Sequence, residues 1–170
     1  MIYALVHYPS VESRRINQFR EKYDPQVDLI APHITLMFPV PESVGEDILV
    51  RHLERVLCNW QPFLIHLQGV QISLDDHLFL MLQEGNANVI RLHDEIYTGI
   101  LVEYRREDIP FIPHVTLGVF EEKSSNHERV LEEAKQLGID QHCMLDKLHL
   151  VKVNDDRSRI VWNKEFSLAE

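Results

Sequence analysis

At 170 residues, 45% hydrophobic and 26% charged, the chain has the length and apolar content of one compact soluble body with a real core. Its formal net charge of −10 argues against the broad basic face that duplex nucleic acid needs, but not against a small pocket for one phosphate or one strand end. No apolar run reaches bilayer length, the N-terminus carries no secretory leader, and Cys58 and Cys143 lie outside any CxxC, so a cytoplasmic protein with no disulfide framework and no membrane partner is expected.

Ile2 to Tyr8 reads as a strand stopped by Pro9. Ser10 is placed to cap a helix over about 11–23, with Ile16, Phe19 and Tyr23 at helical spacing and Arg14, Arg15, Arg20 and Lys22 on its other face. Val27 to Val40 contains a strand closed by Pro39 and Pro41. Ser43 then caps a helix to roughly Cys58, and strands follow over 63–73 and 78–83, with Gly69 marking a bulge or break. Asn86 or Asn88 opens a helix to about Tyr104, and Phe111 to Phe120 forms the next strand. Ser124 or Ser125 caps a helix to about Leu137, and two closing strands, 143–153 and 159–168, flank a loop at Asn154 to Ser158.

Residues 11–83 and 86–168 thus each run helix, strand, helix, strand, strand. We expect one domain, 1–170, made of these two pseudo-repeats, with the first strand completing a sheet. Pro32-His33-Ile34-Thr35-Leu36 in the first unit returns as Pro113-His114-Val115-Thr116-Leu117 in the second. Strand side chains alternate between faces, so each copy turns a His and a Thr one way and two aliphatic residues the other. A pseudo-two-fold axis would bring equivalent strands face to face and place both polar sides on one cleft between the lobes.

Such a cleft has a specific chemistry. An unperturbed imidazole titrates near pH 6.5, so one ring can take a proton from attacking water while a second protonates the leaving oxygen. Thr35 and Thr116 would donate hydroxyls to two oxygens of a tetrahedral anion. A phosphodiester fits this arrangement without a metal. The other histidines show no HxH, HExxH or Cys/His ligand spacing, and no glycine-rich phosphate loop is present.

The paired Pro-His-Ile-Thr-Leu and Pro-His-Val-Thr-Leu, within the duplicated layout, resemble the 2H phosphoesterase superfamily, which includes 2′-5′ RNA ligase-like proteins and cyclic nucleotide phosphodiesterases. Arg20-Glu21-Lys22-Tyr23-Asp24-Pro25 is similar to the small bacterial branch typified by the Bacillus YjcG protein. The resemblance implies a bilobal α+β fold with antiparallel-rich sheets around a central cleft, no cofactor, and metal-independent chemistry on 2′,3′-cyclic or 2′,5′-linked phosphates of a nucleotide or RNA end. It assigns His33 and His114 as the acid–base pair and Thr35 and Thr116 as phosphate ligands. Many members carry Arg or Lys two residues after the first motif Thr, on the cleft side; here Met37 stands there, and Gly118 at the matching second position. Cleft cations would then come from Arg14, Arg20 or Lys152. A monomer is expected. The alternative is a non-catalytic nucleotide or RNA-end binding module using the same cleft. A plain interaction scaffold would instead leave the two motif faces apart.

Overall fold

The computed structural model describes residues 1–120 and 126–169; the expected caps Ser124 and Ser125 lie outside the described residues. The chain runs β1 (Ile2–His7), α1 (Ser13–Tyr23), β2 (Ile34–Pro41), α2 (Glu46–Leu57), β3 (Phe63–Ile72), β4 (His77–Leu82), α3 (Asn86–Ile96), β5 (His114–Val119), α4 (His127–Lys135), β6 (Asp140–Leu145), β7 (Lys147–Val153) and β8 (Ile160–Ser167). Short 3-10 turns occupy Glu42–Val44 and Gly99–Tyr104. α1 and α2 start later than expected: Glu12 and Gly45, rather than Ser10 and Ser43, precede them, neither with a side-chain cap bond, whereas α3 opens at Asn86 as expected, directly after Gly85.

All eight strands form one antiparallel sheet in the order β6-β3-β4-β5-β2-β1-β7-β8. The motif strands β2 and β5 are therefore neighbours, meeting edge to edge rather than face to face. The expected strand over 143–153 is divided at Asp146, and its two parts serve opposite ends of the sheet. Only one residue separates β6 from β7, and consecutive Cα atoms lie about 3.8 Å apart. The two ends of the sheet must therefore approach each other, which curls it into a half-barrel. Asp146 also accepts a backbone bond from Leu168 at 2.8 Å.

The helices interlock the two sequence halves. α1 leads into β2 but packs on β5, while α3, which precedes β5, packs on β2. Their shared core holds Leu5, Ile34, Leu36, Leu80, Val115 and Leu117, all fully buried. Ile34, Leu36, Val115 and Leu117 of the two motifs are thereby committed to the helix side, which leaves the His and Thr residues on the other. The loop before β2 crosses that other side, where Ile30 packs with Val6, Val151 and Val153. Among the described residues no helix is long and apolar enough to cross a membrane.

Candidate active site

The four motif residues converge because of one register. Ile34 pairs with Val115 antiparallel, so the flanking residues cross: His33 stands opposite Thr116, and Thr35 opposite His114. Diagonal neighbours in such a ladder sit roughly 7–8 Å apart, close enough for two ring tips to reach opposite sides of one phosphate. β1 and β4 frame the patch, with Val6 beside Thr35, Phe79 beside Thr116 and Met81 beside His114. All four motif side chains are half-buried, and no side chain among the described residues engages either threonine hydroxyl.

Both imidazoles are held the same way. Nδ1 of His33 lies 2.9 Å from the Ala31 carbonyl, and Nδ1 of His114 lies 2.5 Å from that of Ile112. A carbonyl only accepts, so each Nδ1 carries the proton and donates it. Each neutral ring therefore keeps a bare Nε2, the tautomer a general base at that atom requires. Burial lowers the pKa of both, His114 to about 4, and the positive charge each imidazole would carry also lowers that of His114 through His33 and His77.

Their surroundings differ. Phe79 stacks on His114 with ring centroids 3.4 Å apart, whereas Tyr8 meets His33 edge-on at 6.5 Å. Behind His33 lies Arg20, 1% exposed, bonded through Nε to Asp24 at 2.8 Å, through one terminal nitrogen to Asn17 at 3.0 Å and through the other to the Ile30 carbonyl at 2.8 Å. All three guanidinium nitrogens are engaged, so Arg20 is no cleft cation. It fixes the loop whose next residue, Ala31, orients His33.

The other expected cations are placed elsewhere. Lys152 pairs with Glu42 at 2.5 Å and lies over the Tyr3 ring, in a cavity of about 500 Å³ lined also by Glu46, Asp47 and Arg51. Tyr3 pairs with Val40, the far end of β2 from His33. Arg14 is exposed on α1. Met37 does not face the cleft: it is fully buried in the core. The reason is a bulge. Val6 and Leu5 are consecutive on β1 but oppose Thr35 and Met37, so Leu36 is an extra residue and the alternation of faces breaks there. The Leu36 carbonyl accepts from Nδ1 of buried His93 at 2.8 Å, and the Tyr97 hydroxyl accepts from the Phe38 amide at 2.9 Å. β5 slips at the same place, since Phe79 and Leu78 oppose Thr116 and Gly118. Gly118 is set by α1, because a Cβ there would stand 2.7 Å from that of Tyr23. The two motif strands thus share a bulge immediately after the threonine, a likeness that residue patterning did not reveal.

His7 points away from the patch, buried on the helix side with Nδ1 bonded to the Lys147 carbonyl. Tyr3 and Phe38, aromatic residues on strands, pack against Trp162 and against Phe111 and His93 respectively. One set of donors was not legible as ligands in the sequence: His66, Asp140 and His142 converge across β3 and β6.

Comparison with known proteins gives one consistent answer. The family model of the 2′-5′ RNA ligase superfamily matches residues 8–157. A "Putative phosphoesterase" of Bacillus licheniformis is 29% identical, the match covering 95% of this chain and 96% of that protein. Two crystal structures of E. coli LigT share the fold: the apo form has a TM-score of 0.60 at 16% identity, covering 99% of this chain and 98% of that one. The complex with 3′-AMP has a TM-score of 0.59 at 16% identity, covering 99% and 97%.

Proposed function

The chain belongs to the 2′-5′ RNA ligase superfamily, and from that premise we propose that it is a metal-independent phosphodiesterase acting on a 2′,3′-cyclic phosphate or 2′-5′-type linkage of a nucleotide or RNA end. The observation that carries this reading is the crossed register of the two motifs, which sets two Nδ1-anchored imidazoles and two hydroxyls on one face. The name of the Bacillus relative and the 3′-AMP complex of E. coli LigT support a phosphate ester of nucleotide type.

In this mechanism Thr35 and Thr116 donate to the non-bridging oxygens. The bare Nε2 of one histidine takes the proton of the attacking water. The other histidine, protonated at Nε2, gives its proton to the departing ribose oxygen as the P–O bond breaks. The orientation of the substrate decides which histidine has which role. Burial keeps both rings largely neutral at pH 7, so the negative charge of the phosphodiester draws a proton onto the acid partner as it binds.

The pH dependence follows from the signs. The free protein needs one charged and one neutral imidazole, and both pKa values are lowered from 6.5. The bell for kcat/KM is therefore expected to peak below pH 6.5. The decisive test is hydrolysis of 2′,3′-cyclic nucleotides and 2′-5′ dinucleotides in EDTA, by wild type and by His33→Ala and His114→Ala. Turnover that survives EDTA and is lost in both variants supports the proposal. Tight nucleotide binding without product at any pH would make the chain a binding module instead.

A further inference from the structure

We propose that His66, His142 and Asp140 form a binding site for one divalent transition-metal ion of the zinc class, on the β3–β6 edge of the sheet and apart from the two His-x-Thr motifs. One donor atom from each residue lies within 4.8 Å of the other two. The backbone fixes this convergence. His66 and His142 are directly opposed in the β3–β6 ladder, and Asp140 is the diagonal neighbour of His66, opposite Gln68. The two imidazoles lie stacked, with centroids 3.9 Å apart and planes 5° apart, so their ring nitrogens are presented side by side.

The donors already share a proton where a metal would sit. His66 Nε2 lies 2.7 Å from Asp140 Oδ1, while the second oxygen of Asp140 accepts from Gln68 at 2.9 Å. His142 Nε2 also lies 3.7 Å from Glu84 Oε2, a carboxylate beside the three-donor cluster rather than within it, so water would complete a tetrahedral shell. Zinc binds imidazole nitrogen and carboxylate oxygen at about 2.0–2.2 Å, which puts tetrahedral ligands roughly 3.3 Å from one another. The three donors, one pair at 2.7 Å and every pair within 4.8 Å, span that value, and Asp140 and His142 are exposed and can turn to close the difference. His66 is anchored, its amide donating to the Glu84 carbonyl at 3.0 Å and its carbonyl accepting from the Gln83 amide at 2.8 Å. Two imidazoles with a carboxylate suit zinc, cobalt(II), nickel(II) or copper(II), and not calcium or magnesium, which prefer all-oxygen sets. β6 is an edge strand, so the ion has open access.

The test is calorimetric titration of the full chain with zinc chloride, and with cobalt(II) followed by its visible absorption. The variants are His142→Ala, Asp140→Asn and the double variant His33→Ala/His114→Ala. The expected result is one zinc per chain, at least tenfold weaker in His142→Ala and Asp140→Asn and unchanged in the double variant. A rise in Tm with zinc should appear in wild type and be absent in His142→Ala, whose exposed side chain can be removed without disturbing the core. Undetectable binding at 100-fold excess zinc overturns the proposal. So does zinc binding that survives in His142→Ala and disappears in the double variant, because the ion would then sit between the motif histidines. Neither result depends on turnover, so the site stands or falls separately from the proposed phosphodiesterase reading.

Discussion

The two halves of the candidate site carry the same five-residue pattern and the same Nδ1–carbonyl bond, yet they are built differently. His114 is held by contact, with an aromatic ring flat against it. His33 is held by a loop, and that loop is fixed by a buried Arg20–Asp24 pair. A duplicated motif therefore does not need duplicated support. What the halves have in common is the ladder register and the bulge after each threonine, which turns the following residue into the core.

That contrast can be broken in order of expected effect. His33→Ala and His114→Ala should each lower kcat/KM on a cyclic phosphate by about a hundred to ten thousand fold, since each removes one positioned proton transfer. An unequal loss would show that the halves differ in chemistry as well as in support. Arg20→Met leaves the Asp24 carboxylate buried and unpaired, which costs about 3–5 kcal/mol in urea unfolding. It should disturb the imidazole resonances of His33 and spare those of His114. Adding Asp24→Leu should recover part of the stability, and a full loss in the double variant would mean the pair is not what holds the loop.

Thr35→Val and Thr116→Val remove one donor each and are expected to reduce kcat by roughly a hundredfold, with little change in Tm. Phe79→Leu has the smallest effect. It readmits water to His114 and should raise its pKa from about 4 toward 6.5 in an NMR titration, leaving His33 where it was. The same depression also bears on stability. An unfolded imidazole takes up its proton near 6.5 while the folded one resists to about 4, so the contribution of neutral His114 is complete above pH 6.5. It is lost progressively as pH falls toward 4, amounting to roughly 3 kcal/mol. Chemical denaturation of wild type and Phe79→Leu across that window should show the variant with the shallower acid loss.

The motif residues were legible because alternation, the simplest rule of a strand, holds through His33-Ile34-Thr35 and His114-Val115-Thr116. It fails one residue later. Counting on from Thr35 puts Met37 on the cleft side, but the bulge at Leu36 carries it into the core. A bulge is paid for by partners elsewhere in the chain, here His93 and Tyr97 of the α3 region, and local sequence does not announce them. The division of 143–153 was hidden for a related reason. Nothing in the residues around Asp146 marks a change of neighbour, because the change is imposed by the curl of the whole sheet. The His66–His142 pair depends on the register of two strands far apart in sequence, so no spacing rule could find it.

The position of β7 has a consequence for how the chain acquires its shape. β1 lies between β2 and β7, so the first strand made has an open hydrogen-bonding edge until residues 147–153 arrive. Contacts spanning nearly the whole sequence must form before the half-barrel can close, and such distant pairings slow folding, since loop-closure entropy is lost before the contacts are gained. Refolding from denaturant should accordingly be slow for a chain of this length. A strand from near the end of the chain, rather than the motifs themselves, completes the frame in which two histidines can work as a pair.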